Sequence, residues 1–470
     1  MPPAAIYLSA DIRRIEAAAG AVVPSLMERA AAAAAEIGGR LASQRNKDIL
    51  VLAGPGNNGG DARLVAERLK AGFSRVTVAT RPAEIPMERS WGLVVDGLFG
   101  IGLARDIGGD FATLVHYANR QSCPVLALDV PSGIEADTGR VLGCAVRATH
   151  TVSFIAMKPG LLTLDGPDHC GEVTIADLGL EVARLQPPSG WVASPDIFKG
   201  VLKPRQRNFH KGMAGSLGIL GGAQGMGGAA LLAGRAALKL GAGRVYVGFL
   251  AEESLRLDTV CPELMLRHVD EALGQDLDAL VAGPGLGDSE RAEAVVGAAL
   301  ASDIPCVLDA DALNLMAQND GLKRACHRRR ADTILTPHPA EAARLLGLST
   351  AQVQANRLEA AKTLAASFNA HVVLKGNGSI VVARDAHWFI NTTGNSGMAS
   401  AGMGDVLAGM LGALVAQRFS GESALVLGVH LHGAAADDLV RAGVGPVGLT
   451  AGELIDPARR LWNSWLGGSA

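Results

Sequence analysis

A chain of 470 residues that is 49% hydrophobic and 19% charged is long enough for two or three packed domains and too apolar for disorder. Its formal net charge of -3, with no long lysine or arginine run, leaves no electrostatic footprint for nucleic acid or an anionic membrane, so neither is expected as a partner and small-molecule chemistry is favoured. Six cysteines show no CxxC pair or zinc-like spacing, and neither a signal-like N-terminus nor an apolar run of about 20 residues is visible, which points to a cytoplasmic enzyme with reduced thiols.

In chain order, the Ala-rich stretch Val23 to Ser43 is a strong helix former. Apolar strand candidates at 49–53, 76–79, 93–96, 125–130 and 151–155 then alternate with helical patterns, which predicts a parallel, helix-covered sheet. Tandem prolines and a glycine in Leu185-Gln186-Pro187-Pro188-Ser189-Gly190 end both periodicities and read as a linker. The alternation restarts with strand candidates at 216–220, 244–249, 279–282, 306–309, 333–336 and 372–375. The expectation is two α/β domains, 1–193 and 194–470.

Two glycine-rich turns suggest two nucleotide sites. Gly54-Pro55-Gly56-Asn57-Asn58-Gly59-Gly60-Asp61 precedes a helical stretch at 62–71, and Gly397-Met398-Ala399-Ser400-Ala401-Gly402-Met403-Gly404-Asp405 precedes one at 406–417. Free N–H groups and the positive end of a helix dipole at such junctions favour an anion. Each run ends in an aspartate, which repels phosphate unless it has a task, although an aspartate there can also only cap the helix. The first turn fits GxGxxG, yet the strand that follows lacks the acidic residue of a dinucleotide-binding fold, and Asn57-Asn58 adds amides such a fold does not need. Asp96, before Gly97 to Leu103, and Asp129, in Asp129-Val130-Pro131-Ser132-Gly133, put further polar groups at strand ends. Ligands of open α/β sheets bind at those ends.

These motifs, with Phe154-Ile155-Ala156-Met157-Lys158-Pro159-Gly160, resemble the NAD(P)H-hydrate epimerase family over most of residues 9–180. The resemblance implies a Rossmann-like three-layer sandwich acting on the hydrated nicotinamide cofactors NADHX and NADPHX. It places Asn57, Asn58, Gly59, Gly60 and Asp61, the loop Gly100, Ile101, Gly102, Leu103, Ala104, Arg105 and Asp106, and Asp129 at the substrate. Potassium is implied near Asn58, Asp96 and Ser132, with Asp129 as the acid/base. Ala62 stands where the family usually has glycine, and Ala104-Arg105-Asp106 is a variable version of its loop.

In the second half Thr336-Pro337-His338-Pro339-Ala340-Glu341, Lys375-Gly376-Asn377-Gly378-Ser379 and Gly402-Met403-Gly404-Asp405 follow the order of a ribokinase-like phosphotransferase, and no GxxxxGK[ST] run is present. Together with Ile219-Leu220-Gly221-Gly222, Gly283-Pro284-Gly285-Leu286-Gly287 and Asp309-Ala310-Asp311-Ala312-Leu313-Asn314, they resemble the ADP-dependent NAD(P)H-hydrate dehydratase family across about 200–455. The resemblance implies that Lys375, Gly376, Asn377, Gly378, Ser379 and Gly404 contact the adenine nucleotide. Gly287, His338 and Asp405 would contact the hydrate, with Asp405 as the base, ADP as co-substrate and magnesium beside it. His338 stands where many sugar kinases have asparagine in Asn-x-x-Glu. The expected protein is a bifunctional cofactor-repair enzyme and a homo-oligomer. A vitamin or sugar kinase with an accessory domain, and an N-terminal binding module, are the rival readings.

Overall fold

The computed structural model describes residues 3–42, 46–72, 74–86 and 88–467. The chain divides into two compact units, Ala4–Trp191 and Val192–Ala470. No helix among the described residues is long and apolar enough to cross a membrane, and all six cysteines are free thiols.

The first unit is built on a sheet of β1 (Asp48–Ala53), β2 (Arg75–Ala79), β3 (Leu93–Gly97), β4 (Val125–Leu128), β5 (His150–Phe154) and β6 (Glu172–Ala176). Its order is β2-β1-β3-β4-β5-β6, and every pairing is parallel. Successive residues of a strand point to opposite faces, so Ile49, Val51 and Ala53 join one core while Leu50 and Leu52 join another. The first core is covered by α1 (Ser9–Ala19), α2 (Leu26–Leu41) and α3 (Asn57–Ala71), and the second by α4 (Gly109–Asn119). This is a three-layer sandwich.

Several details differ from the expectation, among them the helix expected at 406–417, which covers Met403–Ala416. The Ala-rich helix covers Leu26–Leu41, and Ser43 lies outside the described residues. Helix α3 begins at Asn57 rather than near residue 62, so Asn57 to Asp61 form its first turns. Strand β4 stops at Leu128, not residue 130, because Asp129 turns into the left-handed region with φ 68°. A two-residue strand, Ala5–Ile6, which carries too few residues to show a period, pairs antiparallel with Gly190 and Trp191.

The second unit contains β7 (Ser216–Gly221), β8 (Arg244–Phe249), β9 (Met265–His268), β10 (Ala279–Ala282), β11 (Cys306–Leu308), β12 (Thr333–Leu335), β13 (His371–Leu374), β14 (Ser379–Val382) and β15 (Trp388–Asn391). They lie in the order β15-β14-β13-β12-β11-β10-β7-β8-β9. Pairing is parallel from β13 to β9, whereas β14 and β15 add an antiparallel edge. The helices that matter for the site are α5 (Pro339–Leu346), α6 (Arg357–Phe368), α7 (Met403–Ala416) and α8 (Gly421–Arg441). From Val406 to Ala416 every residue of α7 is buried, which suits a helix apolar on all sides at the centre of its domain. In both sheets the strand order reverses beside the first strand of the unit, the point at whose carboxyl ends open α/β sheets bind their ligands.

Two candidate acid-base sites

In the first unit, the turn after β1 is compressed. A Cβ on Gly59 would lie 1.9 Å from the Gly54 carbonyl oxygen, and one on Gly54 would lie 1.7 Å from that of Leu98. These two glycines therefore serve chain packing, and they press the start of α3 against the turn after β3. Asn58 is buried with neither side-chain atom hydrogen-bonded. A Cβ on Gly100 would meet Asp129 Oδ2 at 2.9 Å and Asn58 Cγ at 3.4 Å, so Asn58, Gly100 and Asp129 share one wall.

Asp129 is held from two sides. Its Oδ2 accepts from the Ile101 N–H at 3.2 Å, and its Oδ1 is ion-paired with Lys158. Lys158 is 0% exposed and also donates to Ser153 Oγ at 2.9 Å and the Phe154 carbonyl at 2.8 Å. Nearby, burial first and then the charges of Asp129 and Glu16 push the Asp61 carboxyl up to about 7. Glu16, on α1, is raised by burial and by Asp129.

Asp96 is fully buried and raised to about 6 by burial, against the opposing pull of its hydrogen bonds. It accepts from Ser132 Oγ at 2.6 Å, the Ser132 N–H at 2.8 Å and the Leu98 N–H at 3.2 Å. An unpartnered buried amide oxygen on Asn58 and the buried carboxylate of Asp96 are the oxygen chemistry that suits a monovalent cation.

In the second unit, three strand ends meet the start of α7. Asp309, after β11, accepts from Thr336 Oγ1 at 2.6 Å and from Lys375 Nζ at 2.9 Å. Lys375 lies 3.9 Å from Glu341 Oε2 as well. A Cβ on Gly404 would sit 3.3 Å from Lys375 Nζ and 3.4 Å from Asp309 Oδ2, so a side chain there would fill the space between the lysine and the helix start. Asp405 is raised to about 6 by burial and by Asp309, with Lys375 opposing. Burial also lifts Glu341 to about 7.

His338 caps α5. Its Nδ1 accepts from the Ala340 and Glu341 N–H groups at 3.1 and 3.4 Å, so the neutral ring carries its proton on Nε2, 3.3 Å from Glu341 Oε1. Burial and Lys375 lower its basicity. Gly287 donates its N–H to Asp311 Oδ2 at 2.8 Å.

The NAD(P)H-hydrate dehydratase family matches residues 217–457, and the YjeF-related protein N-terminus family matches residues 24–91 and 79–160. Over 503 residues the chain is 37% identical to the bifunctional NAD(P)H-hydrate repair enzyme of Escherichia coli (strain K12), covering 98% of this chain and 94% of that one. The chain belongs to the bifunctional NAD(P)H-hydrate repair enzymes. The enzyme of that name from Coxiella burnetii (strain RSA 493 / Nine Mile phase I) is 38% identical over 452 residues, 89% of this chain and 90% of that one. The crystal structure of the ADP/ATP-dependent NAD(P)H-hydrate dehydratase from Bacillus subtilis, co-crystallised with ATP and Mg2+, is 30% identical with a TM-score of 0.51, over 58% of this chain and 98% of that chain. The fold of the second unit is thus ribokinase-like, in keeping with its sequence motifs.

Within this repair-enzyme chain the expected residues fall into groups. Asn58, Asp61, Asp96, Gly100, Ile101, Asp129 and Ser132 converge. Gly102, Ala104, Arg105 and Asp106 lie on the exposed part of their loop. Lys375, Gly404 and Asp405 converge, with His338 joined to them through Glu341. Gly376 and Asn377 are exposed at the tip of a tight turn that Ser379 closes by donating from Oγ to the Gly376 carbonyl at 2.9 Å.

Several functional groups carried no role in the motif reading: Lys158, Glu16, Asp309 and Arg357. The signal for Lys158 was a lone cation in the apolar run Phe154 to Gly160. Arg357 is buried at the start of α6 and reaches the carbonyls of Leu374, Lys375 and Gly378 at 3.3, 3.4 and 3.5 Å, which shapes the Lys375–Ser379 turn. Nothing in its local sequence marks it.

Proposed function

We propose that residues 1–193 epimerise the R and S hydrates of NADH and NADPH, and that residues 194–470 dehydrate the S form at the expense of ADP. The observation that carries the reading is Asp405 at the open start of α7, beside Lys375 and Asp309 with only Gly404 between. That arrangement suits phosphoryl transfer to a hydroxyl, where positioning and charge stabilisation do most of the work. Asp405 takes the proton of the C6 hydroxyl as that oxygen attacks the terminal phosphorus of ADP, and AMP leaves. Phosphate then departs with the C6 oxygen, a proton is lost from C5, and the C5–C6 double bond of NAD(P)H returns. Lys375 meets the transferring phosphoryl group, and the turn from Lys375 to Ser379 holds the nucleotide. His338 and Gly287 face the hydrate. The buried oxygens of Asp309 and Glu341 offer donors that suit magnesium, which would offset phosphate charge when bound.

Epimerisation requires the C6–O bond to break and re-form on the other face. Asp61, protonated near neutral pH, supplies the proton that lets the oxygen leave as water, and Asp129, in its ion pair with Lys158, takes a proton from the returning water. Asn57 to Gly60 and the loop Gly100 to Asp106 line the substrate. Asn58, Asp96 and Ser132 would hold potassium, which would add positive charge beside the cofactor phosphates. Pairing the two activities is chemically economical, since a stereospecific dehydratase strands one epimer. The reduced substrates and free thiols support a cytoplasmic setting, and we propose a homo-oligomer.

The test supplies a mixture of R and S hydrates with ADP or with ATP and follows recovery of reduced-nicotinamide absorbance. Full recovery with ADP at a rate above the no-enzyme control is expected, with ADP preferred to ATP. A stable phosphorylated alcohol as product would instead establish a kinase, and no acceleration of R-hydrate consumption would leave the first unit as a binding module.

A further inference from the structure

The glycine-rich segment 394–403 forms an arch leading into α7, and α8 holds it at both ends. At the first end Asp437 accepts from the Gly394 N–H and from Asn395 Nδ2, both at 2.9 Å. Asn395 Oδ1 in turn accepts from the Gly397 N–H at 3.0 Å. Just before the arch, Thr393 Oγ1 donates to the His430 carbonyl at 2.9 Å, and Gly433 lies so close that a Cβ would come within 2.4 Å of that hydroxyl.

The other end is held by His432, which is only 6% exposed and hydrogen-bonds the backbone of Met403. Its Nε2 has no partner, so Nδ1 is the bonded nitrogen. That bond raises the basicity of the ring, so the Nδ1–H donates and the Met403 carbonyl accepts. Burial and the Lys375 charge push the imidazole down to about 4, which keeps it a neutral donor.

Among the described residues, the hydrogen bonds of the middle of the arch stay within the arch itself. Ser396, Ala399, Ser400 and Ala401 are exposed, and a cavity of about 310 Å³ is lined by the arch and residues 446–449, which touch where Gly397 packs against Pro446. His432 and Asp437 stand five residues apart on one helix, roughly a turn and a half, so a single rigid element sets both ends.

We propose that His432 and Asp437 are positioning residues of the dehydratase half, clamping the arch so that the N–H groups at the start of α7 and the Asp405 carboxylate meet the phosphoryl group in register. The inference rests on the reading of Gly402 to Asp405 as the phosphoryl cradle. Cradle donors act on charge that develops in the transition state, so a loosened arch costs turnover more than ground-state binding.

The experiment uses the full chain, S-NADHX, ADP and magnesium. His432→Phe keeps a ring and removes the donor, His432→Asn keeps a donor nitrogen near the place of Nδ1, and Asp437→Ala cuts the other tether. A displaced cradle is expected to lower kcat about 30- to 100-fold in His432→Phe and Asp437→Ala, with KM for hydrate and ADP within about threefold. His432→Asn should recover about tenfold of that loss, and the double variant should lose less than the product of the singles because both act on one arch. Denaturant unfolding of the second unit, with retained binding of ADP, reports that each variant is folded. If His432→Phe fails to fold, His432→Asn and Asp437→Ala decide the matter by the same kcat and KM split. Wild-type kcat in the folded variants, equal losses in the Phe and Asn variants, or a loss confined to KM would overturn the clamp. A wild-type chain that leaves S-NADHX intact with ADP would overturn the underlying reading instead.

Discussion

Both halves of the protein place a lysine against an aspartate at the carboxyl edge of a parallel sheet, but the two pairs are built differently. Lys158 is fully enclosed and spends its donors on Asp129, Ser153 and Phe154. Lys375 keeps 22% of its side chain exposed, bonds Asp309 and stands beside the opening at Gly404. The contrast fits the chemistry each half performs. A cation with every donor committed to protein holds a carboxylate in place throughout turnover, whereas a partly open one can meet a phosphoryl group that comes and goes.

The largest expected effect separates the halves directly. Asp405→Asn should lower dehydration by about a hundredfold to ten-thousandfold, because the amide nearly preserves shape yet cannot take the hydroxyl proton, while epimerisation stays at wild-type rate. Single-activity assays on one preparation check this.

Next in size is Lys158→Met, which leaves Asp129 without its buried partner and should destabilise the first unit by about 3–5 kcal/mol. Denaturant unfolding should show that loss in the epimerase half, and Lys158→Met combined with Asp129→Leu should regain part of it. Lys375→Met, at the more open pair, should cost less stability and more dehydratase activity; equal stability losses would erase the distinction drawn between the two lysines.

Asp129→Asn should slow epimerisation about a hundredfold as the fast phase at low protein concentration, with dehydration of pure S hydrate intact. Asparagine is the informative replacement, since it keeps an oxygen for Lys158 and tolerates the left-handed backbone at φ 68°. An R-hydrate rate equal to that of wild type would remove Asp129 from the mechanism.

The smallest effect is a pH response of opposite sign in the two halves. Asp405 acts as a base and is raised to about 6, so dehydration should fall as pH drops below about 6. Asp61 acts in its protonated form and is raised to about 7, so epimerisation should fall as pH climbs past about 7. Rate profiles for the two activities between pH 5 and pH 9, measured separately, would show parallel limbs if this assignment of roles were wrong.

Much of the fold was legible in the chain because apolar strands of a parallel sheet alternate with helices at recognisable intervals, as at 49–53, 244–249 and 279–282. The positions of Asp96, Asp129 and Lys375 were legible for a related reason. All strands of a parallel sheet end on the same edge, so polar residues at or just after the ends of separate strands are brought together whatever lies between them. Strands β6, β9, β14 and β15 escaped notice because they are short or near an edge, where packing rather than a local period selects the conformation.

What the sequence by itself determined is therefore the class of fold, the two glycine-rich turns and the carboxylates beside them, since these depend on local spacing. The tertiary structure alone decided which charges meet. Asp129 and Lys158 lie 29 residues apart, Asp309 and Lys375 lie 66 apart, and His432 reaches Met403 from another helix. Burial then set their protonation, raising Asp61 and Glu341 to about 7 and lowering His432 to about 4. Desolvation depends on every neighbour packed around a group, and no run of adjacent residues encodes it.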